Sequence, residues 1–126
     1  MKAFYATAFQ TELQLLTALA TAIGIAATSL VDIHFKAQNE FPLFHYPAIP
    51  ASELRDGFAA WITEHTDFGT IAMLFHDSTD GLQVEDREYL GPFHNVSTPS
   101  LSEVIRGIGN SLQGLTNDAF WIAGHR

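Results

Sequence analysis

The chain has 126 residues, 47% hydrophobic and 16% charged, with no cysteine. One globular domain with a real core is the expectation, and disulfides, thiolate catalysis and cysteine-bearing zinc or iron–sulfur sites are excluded. Fourteen acids against six scattered bases give a formal charge of −8, which argues against a nucleic-acid partner, since phosphate neutralisation needs clustered Lys and Arg.

Phe9, Leu13, Leu16, Ala20, Ile23, Ala27 and Leu30 recur at steps of four and three. That spacing keeps them on one side of a helix and predicts an α-helix over 3–30. Gln10, Gln14, Thr17, Thr21, Gly24 and Thr28 form a polar or small stripe on another side. Residues 13–31 carry no charge, a length that can span a bilayer. A helix facing lipid does not gather its polar groups into one stripe, so a buried helix is favoured over a membrane anchor. Glu12 stands where a signal peptide has basic residues. No signal peptide is evident, and a cytoplasmic or virion-associated location is favoured.

Val31-Asp32-Ile33-His34-Phe35 alternates apolar and polar, the period of a half-buried strand. The segment 41–50 carries Pro42, Pro47 and Pro50 among Phe41, Phe44, Tyr46 and Ile49. Proline forbids a helix or central strand there and predicts an extended strip. Such a strip either folds back on the core or docks as an arm on another chain.

Ser52 is a good N-cap, and Leu54, Phe58, Trp61 and Ile62 share one helical face, so a second helix is expected from Ser52 to the Asp67-Phe68-Gly69 stop. Thr70–Phe75 is an apolar run of strand length, read as a buried central strand. The turn 77–81 returns it to a strand at 82–85, making a hairpin. Ser100 and Glu103 make a capping-box pattern before Leu101, Val104, Ile105, Ile108, Leu112 and Leu115. A third helix is expected there, with Gly107 and Gly109 inside it and Gly114 as its stop. Residues 119–123 are apolar and of strand length. The order predicts a single α+β domain, a mainly antiparallel sheet packed by the long N-terminal helix and the C-terminal helix.

Chemistry-bearing signatures are sparse. His-x-x-x-His, His-x-His and His-Glu-x-x-His are missing, and so are Gly-x-Ser-x-Gly and phosphate-loop patterns. The weak metal set is His34, His76 and Asp80, with Asp77 nearby. Asp77, Asp80, Glu85, Asp86 and Glu88 form an acidic docking surface or a solvated hairpin. Glu12, at the edge of the apolar arc, is the most suggestive single acid.

The leading expectation is a non-enzymatic, acidic interaction or assembly module that self-associates or binds a protein partner, with no cofactor. Phage virion or tail components and immunity-type proteins share this size and composition. Its interface would use Phe41, Phe44, Tyr46, Ala20 and Ala27. One alternative is a small enzyme or ligand-binding protein with a pocket between the first helix and the sheet, using Glu12, His34 and His76. The other is a membrane-associated subunit anchored by the first helix.

Overall fold

The computed structural model describes residues 1–36, 38–76, 81–86, 88, 91–97 and 103–126. Helices and antiparallel strands are both present, so the α+β class holds. The chain divides into two compact units, residues 1–45 and 46–126.

The first unit is built on α1 (Lys2–Ala22) and the short α2 (Ser29–Asp32). Leu16 and Ala20 of α1 are wholly buried and Leu30 of α2 nearly so. The predicted helix over 3–30 is therefore too long. Gly24 ends α1, with φ +76, a conformation that is cheap only without a Cβ. The Gly24 N–H donates to the Thr21 carbonyl (3.1 Å) and the Ile25 N–H to that of Ala20 (3.1 Å), the paired bonds of a Schellman cap. Residues 31–35 are not the expected strand. They finish α2 and turn, and the His34 ring nitrogen Nδ1 lies 2.6 Å from the Leu30 carbonyl.

The threonines of α1 satisfy themselves. Thr7, Thr11, Thr17 and Thr21 each donate to the carbonyl four residues back, which lets them sit on an exposed helix face. Glu12 is buried and accepts a hydrogen bond from Asn39 Nδ2 at 2.6 Å. The start of the proline strip folds back beside it: Tyr5 donates to the Asn39 carbonyl, and Phe41 stacks on Phe4 at 5.2 Å. Among the described residues, no helix is long and apolar enough to cross a membrane.

The second unit has α3 (Ala51–Arg55), β1 (Ile71–Leu74), β2 (Gln83–Glu85), β3 (Phe93–Asn95), β4 (Ile105–Ile108) and α4 (Asn110–Leu115). The helix expected from Ser52 closes after one turn, with Gly57 at φ +73 behind it. Tyr46 meets Trp61 edge-on, and Trp61 Nε1 donates to the Pro47 carbonyl at 2.9 Å.

The expected hairpin does not form. β1 pairs antiparallel with β4, Ile71 opposite Ile108 and Leu74 opposite Ile105, and β2 pairs antiparallel with β3. β1 is also not buried on both faces, since Leu74 is 39% exposed. The third helix expected across 101–115 is a strand followed by a short helix. Its apolar residues serve two elements: Ile105 and Ile108 in β4, and the wholly buried Leu112 in α4. Residues 119–123 form no strand; the extended pairing falls just beyond them, at His125.

Candidate metal centre

The segment 124–126 lies between residue 65 and β2. His65 and His125 exchange both backbone hydrogen bonds, at 3.0 and 2.9 Å. In such an antiparallel pair the two side chains leave on the same face, and the imidazole centroids are 4.3 Å apart. On its other edge the segment is held by β2. Glu85 N–H donates to the Gly124 carbonyl (2.8 Å), and Gln83 and Arg126 exchange both backbone bonds. Arg126 adds a side-chain bond to Gln83 and covers the Phe93 ring at 4.2 Å. Gly124 is buried, and a Cβ there would meet a Glu85 carboxylate oxygen at 3.2 Å.

Two residues past His65, Asp67 turns its carboxylate to the same place, with Oδ1 3.8 Å from His125 Nε2. His65, Asp67 and His125 each offer one ligand atom, all within 4.8 Å of one another. The rings are oriented from behind. His65 Nδ1 faces the Thr63 carbonyl at 2.8 Å and His125 Nδ1 faces that of Ala123 at 3.5 Å. A carbonyl only accepts, so each contact favours Nδ1–H and leaves Nε2 with its lone pair.

A cleft of about 230 Å³ opens beside Asp67 and His125, walled by Leu74, Leu82, Val84 and Ile105. A hollow of about 320 Å³ lies at Gly81, Asn95, Val96 and Ser97, with no titratable or metal-ligating side chain among the described residues that line it. Two imidazoles and one carboxylate, with the remaining positions left open, are the donor set of non-haem Fe(II) oxygenases. The residues present fit such an ion, and among the described residues no other group of three His, Asp or Glu converges.

The expected metal set, His34, His76 and Asp80, is not the group that converges among the described residues. His34 belongs to the first unit, and its Nδ1 is engaged by a backbone carbonyl. His76 follows β1, with a buried Nε2 that has no hydrogen-bond partner among the described residues. Asp77 and Asp80 lie outside the described residues. Of the acidic docking surface, Glu85 accepts from the Gly124 N–H at 3.2 Å. Asp86 pairs with His94 at 3.1 Å and accepts from the Glu88 N–H. The Asp86 contacts organise the β2–β3 region itself, and the Glu85 contact ties β2 to the segment 124–126. Of the expected interface, Ala20 is wholly buried and offers no surface, while Ala27 lies past the end of α1. Phe41 packs on Phe4 and Tyr46 on Trp61, and Phe44 is 64% exposed.

The site residues that sequence reasoning passed over are His65, Asp67 and His125. A visible trace existed: His65-Thr66-Asp67 puts an imidazole and a carboxylate two residues apart, so both leave an extended segment on one face.

No family model matches the chain. It is 38% identical over all 126 residues to a 2-oxoglutarate-Fe(II) type oxidoreductase of Metarhizium rileyi, covering 35% of that protein. It is 40% identical over the same length to a 2-oxoglutarate-dependent dioxygenase of Glarea lozoyensis, covering 38% of it. The chain thus spans about a third of the length of the curated relatives it matches. Among solved structures, full-length Neurospora crassa T7H in complex with alpha-KG superposes with a TM-score of 0.80 at 27% identity, over 100% of this chain and 38% of that one. A complex of the same protein with alpha-KG and 5-formyluracil aligns with the same TM-score of 0.80.

These likenesses overturn the expected non-enzymatic assembly module, and with it the reading as a structural protein. They point to an enzyme, and so to the expected alternative of a small enzyme or ligand-binding protein. Its polar groups are different from those expected: Glu12 is occupied by Asn39 inside the first unit, and the convergent donors are all in the second.

Proposed function

We propose that this chain forms the metal-binding part of an Fe(II)- and 2-oxoglutarate-dependent oxygenase acting on a small organic substrate. The observation that carries the reading is the convergence of His65, Asp67 and His125 within 4.8 Å. The names of the matched relatives support the co-substrate, and the T7H complex with 5-formyluracil supports a small-molecule substrate.

An Fe(II) ion held there supplies the dioxygen and one-electron chemistry that side chains lack. The chain's own residues bind and orient. His65 and His125 present Nε2 from two paired backbone segments, so the pairing fixes the spacing from which the two rings reach the ion. Asp67 contributes the negative charge that favours a dication over a neutral ligand. Leu74, Leu82, Val84 and Ile105 line the cleft beside Asp67 and His125 with apolar surface suited to the carbon frame of a small substrate.

The test is oxygen-dependent consumption of 2-oxoglutarate by the full-length protein supplied with Fe(II), in wild type and in His65→Ala, Asp67→Ala and His125→Ala. Loss of consumption in each variant is expected. Undiminished consumption in Asp67→Ala would sink the reading.

A further inference from the structure

The segment 66–70 follows His65 and carries Asp67. It belongs to no helix or strand, yet it is held along its whole length by three consecutive residues at the β4–α4 junction. Gly109 N–H donates to the Thr70 carbonyl (3.1 Å), Asn110 N–H to that of Asp67 (2.8 Å) and Ser111 N–H to that of Gly69 (3.1 Å). Two side chains complete the set: Ser111 Oγ donates to the Phe68 carbonyl at 2.7 Å, and Asn110 Nδ2 to Thr66 Oγ1 at 3.3 Å. Each residue from 66 to 70 receives one bond.

The fit is tight. A Cβ on Gly109 would lie 2.1 Å from the Gly69 carbonyl oxygen and 3.1 Å from that of Asp67. A Cβ on Gly107 would lie 3.2 Å from Asp67 Oδ2. The two glycines expected inside a helix instead let a strand end approach the donor loop at backbone distance.

We infer that Asn110 and Ser111 are positioning residues for the metal centre: their side chains, with the Gly109–Ser111 backbone, fix the loop that carries Asp67. This rests on the reading of His65, Asp67 and His125 as metal donors. Their side chains bond Thr66 and Phe68, on either side of Asp67. Each acts through the loop, as groups behind metal ligands do elsewhere, where their removal lowers metal affinity roughly 10- to 100-fold.

The experiment titrates the full-length, metal-free protein with Co²⁺ alone, reading affinity and the visible absorption of the bound ion. Wild type, Ser111→Ala, Ser111→Thr, Asn110→Ala and His65→Ala are compared, each with its metal-free thermal midpoint. Ser111→Ala keeps the backbone bond and loses only the hydroxyl, so it is the mild variant. The expected result is a roughly tenfold weaker Co²⁺ affinity and an altered spectrum in Ser111→Ala and Asn110→Ala. The metal-free midpoint moves by only a few degrees, and Ser111→Thr restores the wild-type spectrum. Wild-type affinity and spectrum in both alanine variants would overturn the positioning role. So would an affinity loss that Ser111→Thr does not rescue. If wild type and His65→Ala bind Co²⁺ alike, the donor assignment itself fails, a different outcome from failure of the positioning role alone.

Discussion

Residues 1–45 take their order from one 21-residue helix, whereas residues 46–126 have no helix longer than six residues and no strand longer than four among those described. The helical unit buries Leu16 and Ala20 completely and closes its long helix with a glycine cap. The other unit places its donors on an isolated pairing and an irregular loop, held by backbone hydrogen bonds. Regular periodicity therefore marks where this molecule packs. Its candidate metal donors sit where periodicity is missing, on loops braced by short elements.

Separate substitutions sharpen that contrast. The largest effect is expected at the donors. His125→Ala or Asp67→Ala should weaken Co²⁺ binding by more than about 100-fold, beyond what a residue behind the ligands achieves. Far-ultraviolet circular dichroism should show α1 intact. A collapse of helicity in either variant would break the division of labour.

Next come the two wholly buried leucines. Leu16→Ala and Leu112→Ala should each lower stability by about 2–5 kcal/mol, measured by urea denaturation. Only Leu112→Ala should also weaken Co²⁺ binding, because α4 braces the donor loop. Equal effects of both on metal affinity would contradict the division.

Gly24→Ala is expected to be milder. Forcing a Cβ into the left-handed region costs about 1–2 kcal/mol, read as a lower thermal midpoint with metal affinity unchanged. Smallest is Glu12→Gln. The amide oxygen can still accept from Asn39, so the loss should stay within about 1.5 kcal/mol and below that of Glu12→Ala.

Much of the first unit was legible because Leu13, Leu16, Ala20 and their neighbours repeat at helical steps. Gly24 was visible too, but a small residue in a polar stripe does not announce a chain reversal. In the second unit, local pattern misled. Val104, Ile105, Ile108 and Leu112 satisfy a helical period, yet β1 recruits 105–108 into an antiparallel pair, a long-range choice that a sequence window cannot contain. The α+β class survives that error, while the hairpin does not. For the site, the pair His65 and Asp67 was readable once a carboxylate is admitted beside a histidine. Its third member was not, since nothing local links His125 to it. His34 and His76 stood in or beside expected strands or loops, with Asp80 close to His76 in sequence, but among the described residues His34 falls in the first unit and His76 in the second.

That His65 and His125 face one another as backbone partners while standing 60 positions apart in the chain has a thermodynamic corollary. An ion grasped by both rings is held only where folding has already closed the long intervening loop, so it binds the folded chain and not the unfolded one. Metal occupancy and global unfolding then become linked equilibria. Unfolding free energy should rise with free metal concentration, by about 2.7 kcal/mol at a hundred times the dissociation constant, and the thermal midpoint should climb with it. The same three side chains would act as a reversible clasp.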